Sequence, residues 1–176
     1  MPKLKTEYDY EYNCFSKEEM DKALKELRDL GREYYKELNS KRLKKRESGL
    51  TLHYICLCQG AALYYAHLSD KKTNPEYRGV KDFDVWLFVS GYNKNYSSRK
   101  PKNGKIPVRN KQKKVDLLIY NSESLKSRSS NLIKVLQKDC RRKTARCLLD
   151  KAIIELSPHK KILYVNRGYC NKYKKC

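Results

Sequence analysis

Three aspartates offer this sequence its chemistry. Asp82 and Asp84 lie in Lys81-Asp82-Phe83-Asp84-Val85-Trp86-Leu87-Phe88, and Asp116 in Lys114-Val115-Asp116-Leu117-Leu118-Ile119-Tyr120. Side chains alternate along a strand, so a spacing of two puts Asp82 and Asp84 on one face. The apolar run behind each acid reads as a buried strand. An adjacent strand carrying Asp116 would bring a third carboxylate to the same place. Three clustered carboxylates repel one another at neutral pH, and Mg2+ or Mn2+, which take hard oxygen ligands, would offset that. The bland alternative is a set of strand-end acids paired with some of the many lysines. Against it, Asp116 directly precedes Leu117, Leu118 and Ile119, and a buried charge needs a partner or a metal.

The elements that must position these acids follow from the hydrophobic pattern. His53 to Cys58 reads as a buried strand, ended by Gln59-Gly60, and Ala61 to Leu68 as a helix packed on the sheet. A glycine at a strand-to-helix corner permits tight backbone and leaves N–H groups open to a phosphate. The stretch from Ser69 to Lys81, with Asn74-Pro75 and Gly79, is a loop. The long connection from Cys58 to Asp82 suits a crossover between parallel neighbours. Lys81 alternates to the strand face opposite the acids, so no catalytic role is given to it. Trp86 shares the acids' nominal face, where core packing is favoured over stacking on a base.

Around this unit, Ser16 and Glu19 form a capping-box signature. Met20, Leu24, Leu27 and Leu30 then stripe a helix to about Leu38, weakened at Gly31. The tyrosine-rich residues 1–15 show no clear element, and Lys41 to Gly49 is a basic connection. Gly91 to Asn110, with Pro101, Gly104 and Pro107, reads as a long basic loop. Helices are expected over Asn131–Asp139 and Thr144–Leu156, and an edge strand over Ile162–Val165.

Lys and Arg total 41 against 20 Asp and Glu, a formal charge of +21. Such an excess favours a polyanionic partner, with RNA preferred over DNA. Lys94–Lys114 holds nine basic residues and no acid, Lys41–Arg46 holds five in six positions, and Lys160–Cys176 holds six and no acid. Tyr92, Tyr96, Tyr164, Tyr169 and Tyr173 lie in or near these stretches, a combination that can follow a backbone and stack bases. The seven cysteines show no zinc-ligand spacing, and Cys56 and Cys58 point the same way inside a strand. No secretory or membrane-spanning segment is expected, so reduced thiols and a cytoplasmic location are the simplest account. His53, His67 and His159 form no ligand set; His53 and His67 are read as structural or surface residues.

These segments resemble the nucleotidyltransferase superfamily, the group that includes DNA polymerase beta-like enzymes. Its pattern is a strand, a Gly-Ser or Gly-Gly turn, a helix, an Asp-x-Asp strand and a later strand with one Asp. Here the turn is Gly60-Ala61, the pair Asp82 and Asp84, and the third acid Asp116, within about Leu52 to Tyr120. Cys58-Gln59-Gly60-Ala61-Ala62-Leu63-Tyr64-Tyr65 and Gly79-Val80-Lys81-Asp82-Phe83-Asp84-Val85-Trp86 also resemble an uncharacterised small nucleotidyltransferase-like family, a likeness that continues into Arg146–Ile154. Ala61 stands where the superfamily usually has Ser, and the gap from Gly60 to Asp82 requires an inserted loop.

The resemblance implies an α+β fold, a mixed sheet with helices packed mainly on one face. Residues 1–50 would form a helical extension and 51–176 the nucleotidyltransferase-like core. It implies a two-metal transfer, with Mg2+ or Mn2+, of a nucleotidyl group from a nucleoside triphosphate to a hydroxyl. Asp82 and Asp84 would bind both metals, and Asp116 would help bind the catalytic one and take or orient the acceptor proton. Gly60 and Ala61 would meet the phosphates, and a basic residue within Lys94–Lys114 would neutralise them. The acceptor would be RNA, with a small molecule or a protein partner as alternatives. The competing class is a non-catalytic RNA-binding or ribonucleoprotein component of the same fold.

Overall fold

A capping box starts the first helix. Ser16 Oγ accepts the Glu19 N–H at 3.1 Å, and Glu19 Oε2 accepts the Ser16 N–H at 2.8 Å. In the computed structural model, which describes residues 8–71, 73, 78–126 and 130–169, this helix is α1 (Lys17–Lys44). It runs past Leu38, so much of the expected basic connection is its last turn, where cations meet the negative end of the helix. Met20, Ala23, Leu24 and Leu27 are buried against the sheet. Gly31 is buried as well, and a Cβ there would sit 2.8 Å from Ile55 Cγ2. The glycine thus sets how closely the helix approaches the sheet.

The chain continues as β1 (Thr51–Cys58), α2 (Gln59–Ser69) and β2 (Phe83–Ser90). β1 and β2 are antiparallel neighbours with Cys58 opposite Asp84, not the parallel pair expected from the long connection. The reason is that α2 carries the chain away from the end of β1 and the following loop carries it back to the same end. The strand-to-helix corner and the start of β2 therefore lie side by side. At that corner the left-handed residue is Gln59 (φ 65) rather than Gly60.

The expected basic loop is mostly strand. β3 (Tyr96–Ser97) and β4 (Lys102–Val108) both pair antiparallel with β5 (Lys111–Asn121), along one edge. The sequence hides β4 because it is an edge strand, where lysines and a proline are tolerated and deter further pairing. Only Ile106 and Val108 of β4 are buried. β5 lies parallel to β2, and their register sets Asp84 beside Asp116.

Two short helices follow, α3 (Leu132–Lys138) and α4 (Lys143–Leu148), then β6 (Ala152–Ser157) and β7 (Lys161–Val165). α3 and β7 match expectation; the helix expected over Thr144–Leu156 does not. It ends at Leu148, and the apolar run Ala152-Ile153-Ile154 opens β6, which pairs with β1 from Ile153 onward instead. A short apolar run fits either element, and here the exposed edge of β1 decides. The sheet order is β3-β5-β2-β1-β6-β7, with β4 on β5.

The result is a mixed α+β fold with helices packed against the sheet. Ile55, Leu57, Val85, Leu87, Leu117 and Ile119 face the long helices α1 and α2. Cys56, Cys58, Trp86, Phe88 and Tyr120 face the short helices α3 and α4. The second face is thus also covered, though by shorter helices than the first. Trp86 lies in this core, as expected, and His53 is buried on Ser90 Oγ at 2.7 Å. Cys14 is disulfide-bonded, against the expectation of reduced cysteines, whereas Cys56, Cys58, Cys140 and Cys147 are free. Asn74-Pro75, Cys170, Tyr173 and Cys176 fall outside the described residues. Among the described residues, no helix is long and apolar enough to cross a membrane.

Candidate functional site

The antiparallel return of β2 along β1 builds a cleft at one end of the sheet. Its walls include Gln59, Gly60 and Ala61 from the α2 corner, and Asp82 and Asp84 from the entry to β2. Asp116 does not line it, but stands one strand away as the register partner of Asp84. Four of the five expected site residues thus share one recess, with the fifth next to it.

Asp84 is largely removed from water. Burial, followed by the charges of Asp82 and then Asp116, pushes its pKa up to about 7. Near neutral pH it therefore exchanges a proton readily, and a bound cation would compete for the same oxygens. Lys114 Nζ lies 2.9 Å from Asp116 Oδ1. This ion pair holds the buried Asp116 oxygen that would otherwise be without a partner. The Asp116 carboxylate holds the Lys114 ammonium above its ordinary range.

Other cations face the cleft. Arg78, Lys81 and Lys151 line it. Lys81 was expected on the opposite face, but it precedes β2 and strand alternation does not bind it there. Lys151 was hidden by the helix expected over its segment; it lies just before β6 and its charge reaches Asp84. From the basic stretch Lys94–Lys114, Lys114 forms an ion pair with Asp116, and Asn103 is the ladder partner of Asp116.

The N-terminal segment completes the mouth. Asn13 and Val80 exchange backbone hydrogen bonds of 3.0 and 2.8 Å. Lys113, fully buried, donates from Nζ to Glu11 O at 2.6 Å, Asn13 Oδ1 at 3.0 Å and Asp9 O at 3.2 Å. Burial holds its pKa below the ordinary lysine range. Gly79 (φ 82) is required beneath this strap, because a Cβ would meet Asn13 O at 2.3 Å. The strap sets Tyr12 in the cleft wall, with the Arg78 guanidinium 4.7 Å from its ring centre. Tyr12 had no periodic signal, since a single bridge holds its segment.

The donor set suits a hard divalent cation chemically, with the Asp82 and Asp84 carboxylates in the cleft wall. Among the described residues, however, no three His, Cys, Asp or Glu side chains are grouped as a ready metal site. The uncapped first turn of α2 borders the same space; Cys58 makes no side-chain cap, so orphan N–H groups there can meet an anion. The cleft measures about 220 Å3, below the usual range for a whole drug-sized ligand. It has room for an ion and part of a phosphate chain. No protein-family model, no curated protein and no solved structure matches this chain.

Proposed function

We propose that the cleft is a metal-dependent nucleotidyl-transfer site, acting on a nucleoside triphosphate and a hydroxyl acceptor, with RNA the favoured acceptor. The supporting observation is the rung that sets Asp84 beside Asp116, at a recess opposed by the first turn of α2 and by cations. Asp82 and Asp84 would hold Mg2+ or Mn2+, with Asp116 beside them. When bound, the metal would offset the carboxylate charge and stabilise the oxygens that attack and leave the phosphorus.

The chain's own residues do the rest. The Gly60 and Ala61 N–H groups receive phosphate oxygens at the positive end of α2. Lys151, Arg78 and Lys81 neutralise the triphosphate, and Tyr12 borders the mouth, where a base would project. Asp116 orients the acceptor hydroxyl and takes its proton. The hydroxyl oxygen bonds to the α-phosphorus, the bond to the bridging oxygen breaks, and pyrophosphate departs with that electron pair.

A second reading is a non-catalytic RNA-binding component with the same fold, in which Lys114 permanently occupies Asp116. Incubation with each labelled nucleoside triphosphate, Mg2+ or Mn2+, and total RNA separates the two. Transfer requires label in RNA, protein or a small molecule, lost in Asp84→Asn while the variant stays folded. No label under any nucleotide and metal, together with tight RNA binding, establishes the second reading.

A further inference from the structure

The far end of β5 carries a different recess. Tyr96 is shared by two adjoining hollows. One also holds Arg42, Tyr92 and Lys94. The other, open and about 1230 Å3, carries Arg99, Lys100, Lys143 and Thr144 but no acid. Glu47, the acid of the first hollow, is paired with Arg42 at 3.0 Å. The two form one basic trough, several times roomier than the carboxylate cleft.

Its aromatic floor is organised. The rings of Tyr92 and Tyr96 stack with centroids 4.9 Å apart and an interplanar angle of 29°. The Arg42 guanidinium lies 4.5 Å from the Tyr92 ring centre, while Tyr96 remains 39% exposed. The backbone beneath is clamped. Asn121, buried, donates from Nδ2 to Lys94 O at 2.8 Å and accepts the Tyr92 N–H at 3.4 Å. Arg142 donates to Tyr96 O at 3.0 Å, and Ser97 meets Thr144 across the trough wall at 3.2 Å. An ordinary solvated basic loop has no such support.

We propose that this trough binds single-stranded nucleic acid, with Tyr96 stacking on a base and Lys94, Arg99, Lys100 and Lys143 meeting phosphates. An exposed ring beside Lys94, Arg99, Lys100 and Lys143, which have no acid partner among the described residues, suits an unpaired strand, whose bases present free faces. A duplex keeps its bases stacked on one another and leaves Tyr96 nothing to cover. An acidic peptide would satisfy the cations but make no use of the ring. This surface is independent of the carboxylate reading: β5 separates Asp116 from Asn121 by five residues, roughly 16 Å of strand.

The test is fluorescence anisotropy with a labelled, unstructured twelve-nucleotide RNA across a salt series. Four phosphate contacts predict a slope of log affinity on log salt of about −2.8. Tyr96→Ala is expected to weaken binding roughly 5- to 150-fold with an unchanged slope, and Tyr96→Phe to keep it. Arg99→Ala, Lys100→Ala and Lys143→Ala together should flatten the slope to about −0.7. Removing three exposed α1 charges with Lys22→Ala, Lys25→Ala and Lys36→Ala should leave affinity and slope nearly as in the parent. Duplex RNA should compete poorly, and single-stranded DNA should compete if the 2′-hydroxyl is not read. Asp84→Asn should bind as the parent does, whatever the fate of transfer. An equal loss from the α1 triple would mean that net charge alone drives association and would overturn the proposal. So would a Tyr96→Ala variant that binds like the parent.

Discussion

Asp84 ties chemistry to stability. Its folded pKa of about 7 lies above the ordinary 3.8, so the folded state holds its proton more tightly than the unfolded chain. The sign follows by linkage. This group favours folding most below about pH 4, opposes it increasingly as pH rises, and reaches its full cost above about pH 7. The difference corresponds to roughly 4 kcal/mol at most. Asp84→Asn keeps the shape and removes the charge. Urea unfolding should show the variant more stable than the parent at pH 8 and nearly equal at pH 4. A parent whose stability advantage or deficit does not change between these pH values would mean that Asp84 is better solvated than its surroundings imply.

At the scale of elements, Gly31 is where helix and sheet compete. Alanine would gain up to about 1 kcal/mol in helix propensity, yet its methyl would enter the fully buried Ile55 side chain at 2.8 Å. Overpacking of this kind costs about 1–3 kcal/mol. Gly31→Ala should therefore destabilise the parent by about 1 kcal/mol in urea titrations. In an Ile55→Ala background the same substitution should become stabilising, because the methyl then enters vacated space. Additive effects of the two changes would show that the contact is not tight. The contrast also explains what the sequence revealed. The capping box, the α1 stripe, β1, β2 and β5 are legible because their buried faces repeat with a helix or strand period. The three aspartates are legible because each precedes or enters such a run. β4 is not, since an edge strand needs few apolar residues, and β6 is not, since three apolar residues fit helix and strand alike. The loss of β6 hid Lys151. Tyr12 and Arg78 stayed hidden because one backbone bridge and a buried lysine place them, and neither leaves a pattern.

Across the whole molecule, the +21 charge includes cations at both ends of the sheet. At one end of the sheet, cations surround carboxylates and temper their repulsion; at the other, they line an acid-poor trough. On the proposed reading a divalent cation binds at the first. Its binding should stabilise the folded chain in proportion to the logarithm of its concentration over the dissociation constant. At tenfold excess this is about 1.4 kcal/mol, or a few degrees in melting temperature for a chain of this size. Protons compete for Asp84, so Mg2+ should raise the melting temperature at pH 8 and have little effect at pH 5, where Asp84 is protonated. Mn2+ should do the same at lower concentration, since it binds oxygen and nitrogen ligands more tightly. A monovalent salt series at matched ionic strength removes the general screening effect. In Asp84→Asn the pH 8 shift should largely vanish, while the RNA salt slope set by the opposite end stays intact. An equal Mg2+ shift at both pH values, or one that survives Asp84→Asn, would place the cation elsewhere on the molecule and remove the metal from the proposed reaction.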